Sequence, residues 1–490
     1  MMKIMKFGSQ IIIVTFLSLG FMFTANSIAA SAETQSPEAA AKNVKTKKNI
    51  KPADNQPAIN SKALELNQEG VALGNSLNYK EAVEKLEEAY ALEPQNETIK
   101  NNLFTIINNY AVYAGNKKNS ALAYEIYEKA VAIEGAPYNI FMNYGNFLSS
   151  QGKYEESTSY LEKALTAGTI PQKDEEFIRS SLGASYLKRG LYDEAITHME
   201  HAITLNHKNA ELYYGLGKIY YMQGKYSNAI ENLELAVANG KNTPYLKPAQ
   251  ELLDKVKKEG KVESKFESKN LYHFNVQYDG EKNNAVNLDK VMEILEDAYN
   301  TVGTYFNYYP EAATPVIIYS KEQFKQASDS PIWVAALYDG KIRLPLSDIQ
   351  ENSDTLKSLI FHEYTHAVVF QLTRGKCPVW LNEGLAQTLE GTGMNEKQAA
   401  RLKKYAEQKK IFDIKSLEGS FMGIQPYELV ALAYSESLSF TGYLIEKYGQ
   451  SQLIEALSEI GQGKSTSQIF EDSFYSNYQK LQSDWLDTVK

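Results

Sequence analysis

Of the six histidines in this 490-residue chain, two, His362 and His366, stand four apart around Glu363 in the stretch "FHEYTH". Residues i and i+4 of an α-helix lie about 40° apart, so both imidazoles would project from one face. Two ring nitrogens so placed can hold Zn2+, and Glu363 would point to the side where a metal-bound water sits. A catalytic zinc site needs one further protein ligand and an open position. Glu383, 17 residues beyond His366 in "VWLNEGLAQTLEG", is the carboxylate that a helix–loop–helix would return to the pair. Glu390, seven residues on, returns almost to the same helical angle and could accept a hydrogen bond from a zinc-bound histidine. The competing reading is a pair of histidines satisfied inside an ordinary helix.

The elements around these residues can be read from periodicity. "DTLKSLIFHEYTHAVVFQLT" (354–373) is one continuous helical pattern, with Leu356, Leu359, Ile360, Val368 and Val369 available for a core. A short loop, "RGKCP", leads to the second helix (379–391). Upstream, "YHFNVQY" (272–278) and "TPVIIYS" (314–320) read as strands on either side of a helix at 288–306. "WVAALYDGKIRLPL" (333–346) reads as two short strands turning at Asp339-Gly340, with Pro345 placing the second at a sheet edge. Everything after about Leu356 is expected to be helical.

H-E-x-x-H followed by N-E-G-x-A resembles the gluzincin group of zinc metallopeptidases, and most of all the MA-like bacterial peptidases that carry tetratricopeptide repeats. "AYSESLSFTGYLIEKYG" (433–449) is similar to that group's second characteristic helix. The resemblance spans about 270–490. It implies one Zn2+ per chain held by His362, His366 and Glu383, with Glu363 as general base. It further implies Tyr434 as donor to the oxyanion and the 341–346 edge strand as partner for substrate backbone. The gap to Glu383 is shorter than in thermolysin, so the cleft would differ in shape.

Between about Lys62 and Lys258 the chain repeats. Ala89, Ala130, Ala164, Ala202 and Ala236 recur in segments such as "LEKALTAG" and "LELAVANG", at intervals of 41, 34, 38 and 34 residues. Tyr144-Gly145, Leu182-Gly183 and Leu216-Gly217 precede the last three copies. The pattern resembles the tetratricopeptide repeat, about five helical pairs in a solenoid with a concave face for a protein partner. His198, His201 and His207 fall here without a carboxylate or cysteine in register and read as surface residues.

The fold expectation is multidomain: an all-α repeat solenoid, then an α+β zincin-like catalytic domain. The boundaries are a signal peptide at 1–32, a flexible linker at 33–61, repeats at 62–258, a charged linker at 259–270 and the catalytic domain at 271–490. Lys3, Lys6, the apolar run "IIIVTFLSLGFMF" and "Ala30-Ser31-Ala32" carry the signal reading, with no later segment apolar enough to span a bilayer. Residues 33–61 are too poor in large apolar side chains to fold. The expected location is outside the cytoplasm of a bacterium, in the periplasm, the cell-wall space or the medium. A net charge of −9 with scattered Lys and Arg argues against nucleic acid as partner. Cys377 is the one cysteine, so no internal disulfide can form, and it reads as a neutral loop thiol.

The functional expectation is an exported zinc peptidase acting on peptide or protein substrates. The rival expectation is an envelope interaction scaffold whose zincin domain is inactive or structural. A hydrolase of a non-peptide amide in the cell wall is also compatible with these residues.

Overall fold

A computed structural model describes residues 60–280, 288–328, 337–345 and 353–489. The signal and nearly all of the linker expected at its N-terminus lie outside the described residues. The chain divides into two compact units, one closing at Lys208 and one running from Asn209.

In the first unit, helices pair in sequence: α1 (Ser61–Asn75) with α2 (Tyr79–Leu92), α3 (Glu97–Asn116) with α4 (Ser120–Ala132), α5 (Tyr138–Ser150) with α6 (Tyr154–Thr166), and α7 (Gln172–Arg189) with α8 (Tyr192–Leu205). Asparagines start several of these helices, Asn60, Asn96 and Asn119 accepting first-turn amides at α1, α3 and α4. Each anchor alanine sits in the second helix of its pair and is fully buried, because a larger side chain would hold the helices apart. A β-carbon on Gly145 or Gly183 would come within 2.6 Å of Leu161 or Met199. His198 pairs with Glu162 at 3.1 Å and stacks on Tyr186, while His201 lies 3.6 Å from Glu175.

The second unit opens with the fifth helix pair, α9 (Ala210–Met222) and α10 (Tyr226–Asn239), followed by α11 (Leu246–Glu263). Ala236 is again fully buried. Residues 259–270 are no linker. They form the end of α11 and the edge strand β1 (Glu267–Asn270), because carboxylates that read as solvated in the sequence find buried cations further along the chain.

After β1 come β2 (Phe274–Tyr278), α12 (Leu288–Phe306), β3 (Thr314–Tyr319), α13 (Lys321–Ala327), β4 (Leu337–Tyr338) and β5 (Ile342–Pro345). The sheet order is β1-β2-β3-β5-β4, with β2, β3 and β5 parallel and the two outer strands antiparallel to their neighbours. The hairpin at Asp339–Lys341 is present, with Gly340 at φ +102°. The expected edge strand is corrected, however: β5 pairs with β3 on one side and β4 on the other, so among the described residues β4 is the edge. Pro345 is accommodated at the end of β5, past the described residues that pair with β4.

Strand alternation gives the sheet two distinct faces. Phe274, Val276, Val316, Ile318, Ile342 and Leu344 are buried on the face towards α14 (Ser353–Thr373), where Phe274 meets Tyr364 at 5.3 Å between ring centroids. Gln277, Ile317, Tyr319 and Arg343 share the other face. From Leu359 to Val369, α14 is buried without interruption, so it is a central helix packed on all sides.

The remainder is helical: α15 (Val379–Leu389), α16 (Glu396–Glu407), two short 3-10 turns (Ile414–Glu418 and Phe421–Gly423), α17 (Tyr427–Tyr448), α18 (Gln450–Gln462), α19 (Thr466–Phe474) and α20 (Tyr478–Val489). Among the described residues no helix is long and apolar enough to cross a membrane.

Candidate metal centre

His362 and His366 leave α14 on one side, with ring centroids 4.7 Å apart. The loop 374–378 then folds α15 back so that Glu383 Oε2 lies 3.6 Å from His362 Nε2 and 3.8 Å from His366 Nε2. The three ligand atoms fall within 4.8 Å of one another and all three residues are buried. Ligands about 2.1 Å from a tetrahedral zinc stand about 3.4 Å apart, so the two distances from Glu383 to the histidines are within a few tenths of an ångström of that spacing.

The polar atoms of the site could hold a metal. The Nε2 atoms of both histidines are buried with no hydrogen-bond partner among the described residues. His362 Nδ1 lies 2.7 Å from Glu390 Oε2, a contact that in the neutral ring keeps the proton on Nδ1 and leaves the Nε2 lone pair facing Glu383. Thr392 donates to the other Glu390 oxygen at 2.8 Å and holds that carboxylate in turn.

Without a metal the electrostatics are uneasy. Burial works to lower His362, but the carboxylates of Glu383 and Glu390 outweigh it and hold the imidazolium up to about 10. Burial brings His366 down to about 4. Glu363 is fully buried with no hydrogen-bond partner for either oxygen among the described residues, and burial pushes its carboxyl up to about 8. A carboxylate buried in this way is costly unless a cation or a water reaches it.

Helix α17 supports the ligand helix from behind. A β-carbon on Gly384 would come within 2.1 Å of Thr441 Oγ1 and 2.4 Å of the Ser437 carbonyl. The glycine of N-E-G-x-A is thus the point where α15 and α17 cross most closely, next to the ligand Glu383. Gln387 of α15 donates to the carbonyl of Tyr434 at 3.1 Å. Tyr434 itself is buried on α17 with its ring edge-on to Phe421 at 5.4 Å, so the structure brings it to the neighbouring helix. Cys377 is buried in the loop between the ligand helices, where burial pushes its thiol well above the usual range.

Two features of α17 escaped the sequence reading. Ser435 and Ser437 are fully buried and return their hydroxyls to Ala431 and Ala433 carbonyls at 2.8 Å, which keeps the helix slim. Glu436 is fully buried too, accepts from the Phe412 amide at 3.1 Å, and is pushed up to about 8 by burial. Its position inside "AYSESLSF" was visible, but its burial was not.

Residues 345–490 match the family described as Peptidase MA superfamily. This part of the chain is a Peptidase MA superfamily domain. Residues 138–167 and 183–224 match tetratricopeptide-repeat families, so the domain follows N-terminal repeats. No match is found among curated proteins. Among solved structures, YrrB, described as a TPR protein with an unusual peptide-binding site, is similar at 17% identity over 39% of this chain and 92% of its own, with a TM-score of 0.32. PilW, described as a type IV pilus biogenesis factor, matches at 17% over 42% and 94% with a TM-score of 0.30. PilF of Pseudomonas aeruginosa matches at 20% over 41% and 92% with a TM-score of 0.29. Likeness at this level says nothing about activity.

Proposed function

We propose that this chain is an exported zinc metallopeptidase whose repeats recruit a protein substrate or partner. The observation that carries the reading is the convergence of the buried His362, His366 and Glu383, with the buried carboxylate of Glu363 next in sequence to the first histidine. A structural zinc site has no use for such a base, because it closes the metal with four protein ligands. Membership of residues 345–490 in the Peptidase MA superfamily supports the same reading.

His362 and His366 would present Nε2, and Glu383 would present Oε2, to one zinc ion. Bound zinc supplies Lewis acidity for the scissile carbonyl and lowers the pKa of a water. Glu390 keeps the proton of His362 on Nδ1 and its lone pair on Nε2. Glu363 accepts the proton of the attacking water on its carboxylate and returns it to the leaving amine nitrogen. The Tyr434 hydroxyl is the proposed donor to the oxyanion. With β5 internal, β4 is the strand that would pair with substrate backbone. The signal-like sequence at 1–32 supports a reaction outside the bacterial cytoplasm as part of this proposal.

The test is Glu363→Gln in the full-length protein. Zinc content should stay near one per chain while casein hydrolysis falls by about 10²–10⁴-fold, since only the proton acceptor is lost. Hydrolysis at the native rate in that variant would overturn the mechanism. Absence of hydrolysis in both forms would favour the interaction scaffold.

A further inference from the structure

A second buried polar cluster lies under the sheet face opposite α14. Arg343 of β5 is 1% exposed and spreads its guanidinium over three carboxylates. Its Nη1 is 2.8 Å from Glu263, its Nη2 2.9 Å from Glu259 and its Nε 3.1 Å from Asp339. The same Nη2 donates to the Tyr221 hydroxyl at 2.9 Å, and that hydroxyl donates to Glu259 at 2.7 Å. Tyr226 and Tyr319 both donate to Glu263. Lys341 is fully buried, reaches the Tyr226 hydroxyl at 3.2 Å and lies 3.8 Å above the Tyr221 ring. Lys255 closes the cluster on Asp339 at 2.8 Å. Three cations thus meet three carboxylates, and the cluster is neutral.

Its members come from two sides. Tyr221, Tyr226, Lys255, Glu259 and Glu263 belong to the fifth repeat pair and α11, while Tyr319, Asp339, Lys341 and Arg343 belong to the sheet and the β4–β5 hairpin. Helix α11 is a shared wall: Leu252, Leu253 and Val256 pack with the repeat pair, and Val262 packs with the peptidase core. The hairpin in turn leans on the metal helix, because Tyr338 of β4 meets Phe370, one turn beyond His366, at 6.0 Å. A buried ion cluster adds little net stability, but losing a fully buried member leaves its partners unpaired at high cost, so it favours one arrangement of the hairpin.

We infer that the fifth repeat pair and α11 are the second half of the catalytic unit, and that Arg343 is a positioning residue holding the β4–β5 hairpin against the metal helix. The unit then begins near Asn209 and not near residue 271. The activity arm of its test rests on the metallopeptidase reading, and the proteolysis arm does not.

The full-length, zinc-loaded protein is digested briefly with trypsin and the fragments are weighed. Lys208 is exposed in the turn before α9, so the resistant C-terminal fragment should begin at Asn209, whereas the bonds after Lys257 and Lys261, exposed as side chains but set inside α11, should be protected by the packing of that helix. A fragment beginning within 259–271 that separates from the rest and still hydrolyses peptide would overturn the inference. The full-length Glu263→Gln variant should keep its zinc, lose the protection in α11, and raise KM for a short peptide by about tenfold with a smaller change in kcat. Native KM together with the native digestion map would overturn it. If Glu263→Gln does not fold, Lys255→Met removes only the partly exposed contact to Asp339 and should raise KM by about two- to threefold, by the same sensitivity to position. No change in KM in Lys255→Met then counts against the inference. A wild-type protein that hydrolyses nothing refutes the metallopeptidase reading, and the digestion map still decides where the unit begins.

Discussion

Replacing Glu390 with alanine removes the carboxylate that lies 2.7 Å from His362 Nδ1 and touches no metal ligand atom of its own. A hydrogen bond between such charged groups contributes about 1.5–3 kcal/mol, which corresponds to a factor of about 10–100 in an equilibrium constant. Glu390 retains 19% side-chain exposure, so water can enter after truncation and replace part of the contact. The expected loss of zinc affinity is therefore at the lower end, about 10–30-fold. Glu383→Ala deletes a direct ligand facing both Nε2 atoms and should leave the protein with little zinc after dialysis. Glu390→Gln keeps an acceptor for Nδ1 and should lose about fivefold or less. The assay is competition for zinc against a chromophoric chelator at fixed pH, with peptide hydrolysis measured at saturating zinc. Tighter residual binding in Glu383→Ala than in Glu390→Ala would show that ligand and support have been exchanged, and the assignment would fall.

Gly384→Ala drives a methyl group into Thr441 and the Ser437 carbonyl, and should cost about 1–3 kcal/mol and lower zinc content. Gly442→Ala on α17 meets nothing within 4 Å and should stabilise by a fraction of about 1 kcal/mol, so equal effects in thermal melts would refute the helix-crossing argument. Tyr434→Phe should lower kcat by about 10²-fold with KM little changed if its hydroxyl serves the oxyanion, and native kcat would remove it from the mechanism. In chelator-treated protein His362 is raised to about 10 from an unfolded value near 6.5, and Glu363 to about 8 from near 4.5. Both contributions are present at low pH, that of Glu363 being lost between about pH 4.5 and 8 and that of His362 between about 6.5 and 10, so the melting temperature should fall as pH rises towards about 10. Excess zinc, which needs neutral His362, should flatten that fall; a melting temperature that rises with pH in chelator would contradict the site's electrostatics.

How much of this was legible beforehand depended on how local the signal is. The i, i+4 spacing of His362 and His366 is fixed by helical geometry, and the repeat alanines recur in the chain itself, so both could be read directly. Glu383 was also within reach, since a single short loop separates its helix from the first. The edge strand was misplaced because Pro345 marks only a missing donor, and a missing donor is equally tolerated at the end of an internal strand. The 259–270 segment was misread for a deeper reason. Glu259 and Glu263 lie among five lysines in "KVKKEGKVESK", and nothing nearby distinguishes them from the solvated charges around them. What buries them is Arg343, 80 residues beyond Glu263, on a strand whose face is decided by a sheet that no local pattern announces. Charge in a sequence gives composition, whereas burial of charge is a property of pairs. The join between the fifth repeat pair and the sheet was therefore hidden, because it includes charges that are buried only as pairs.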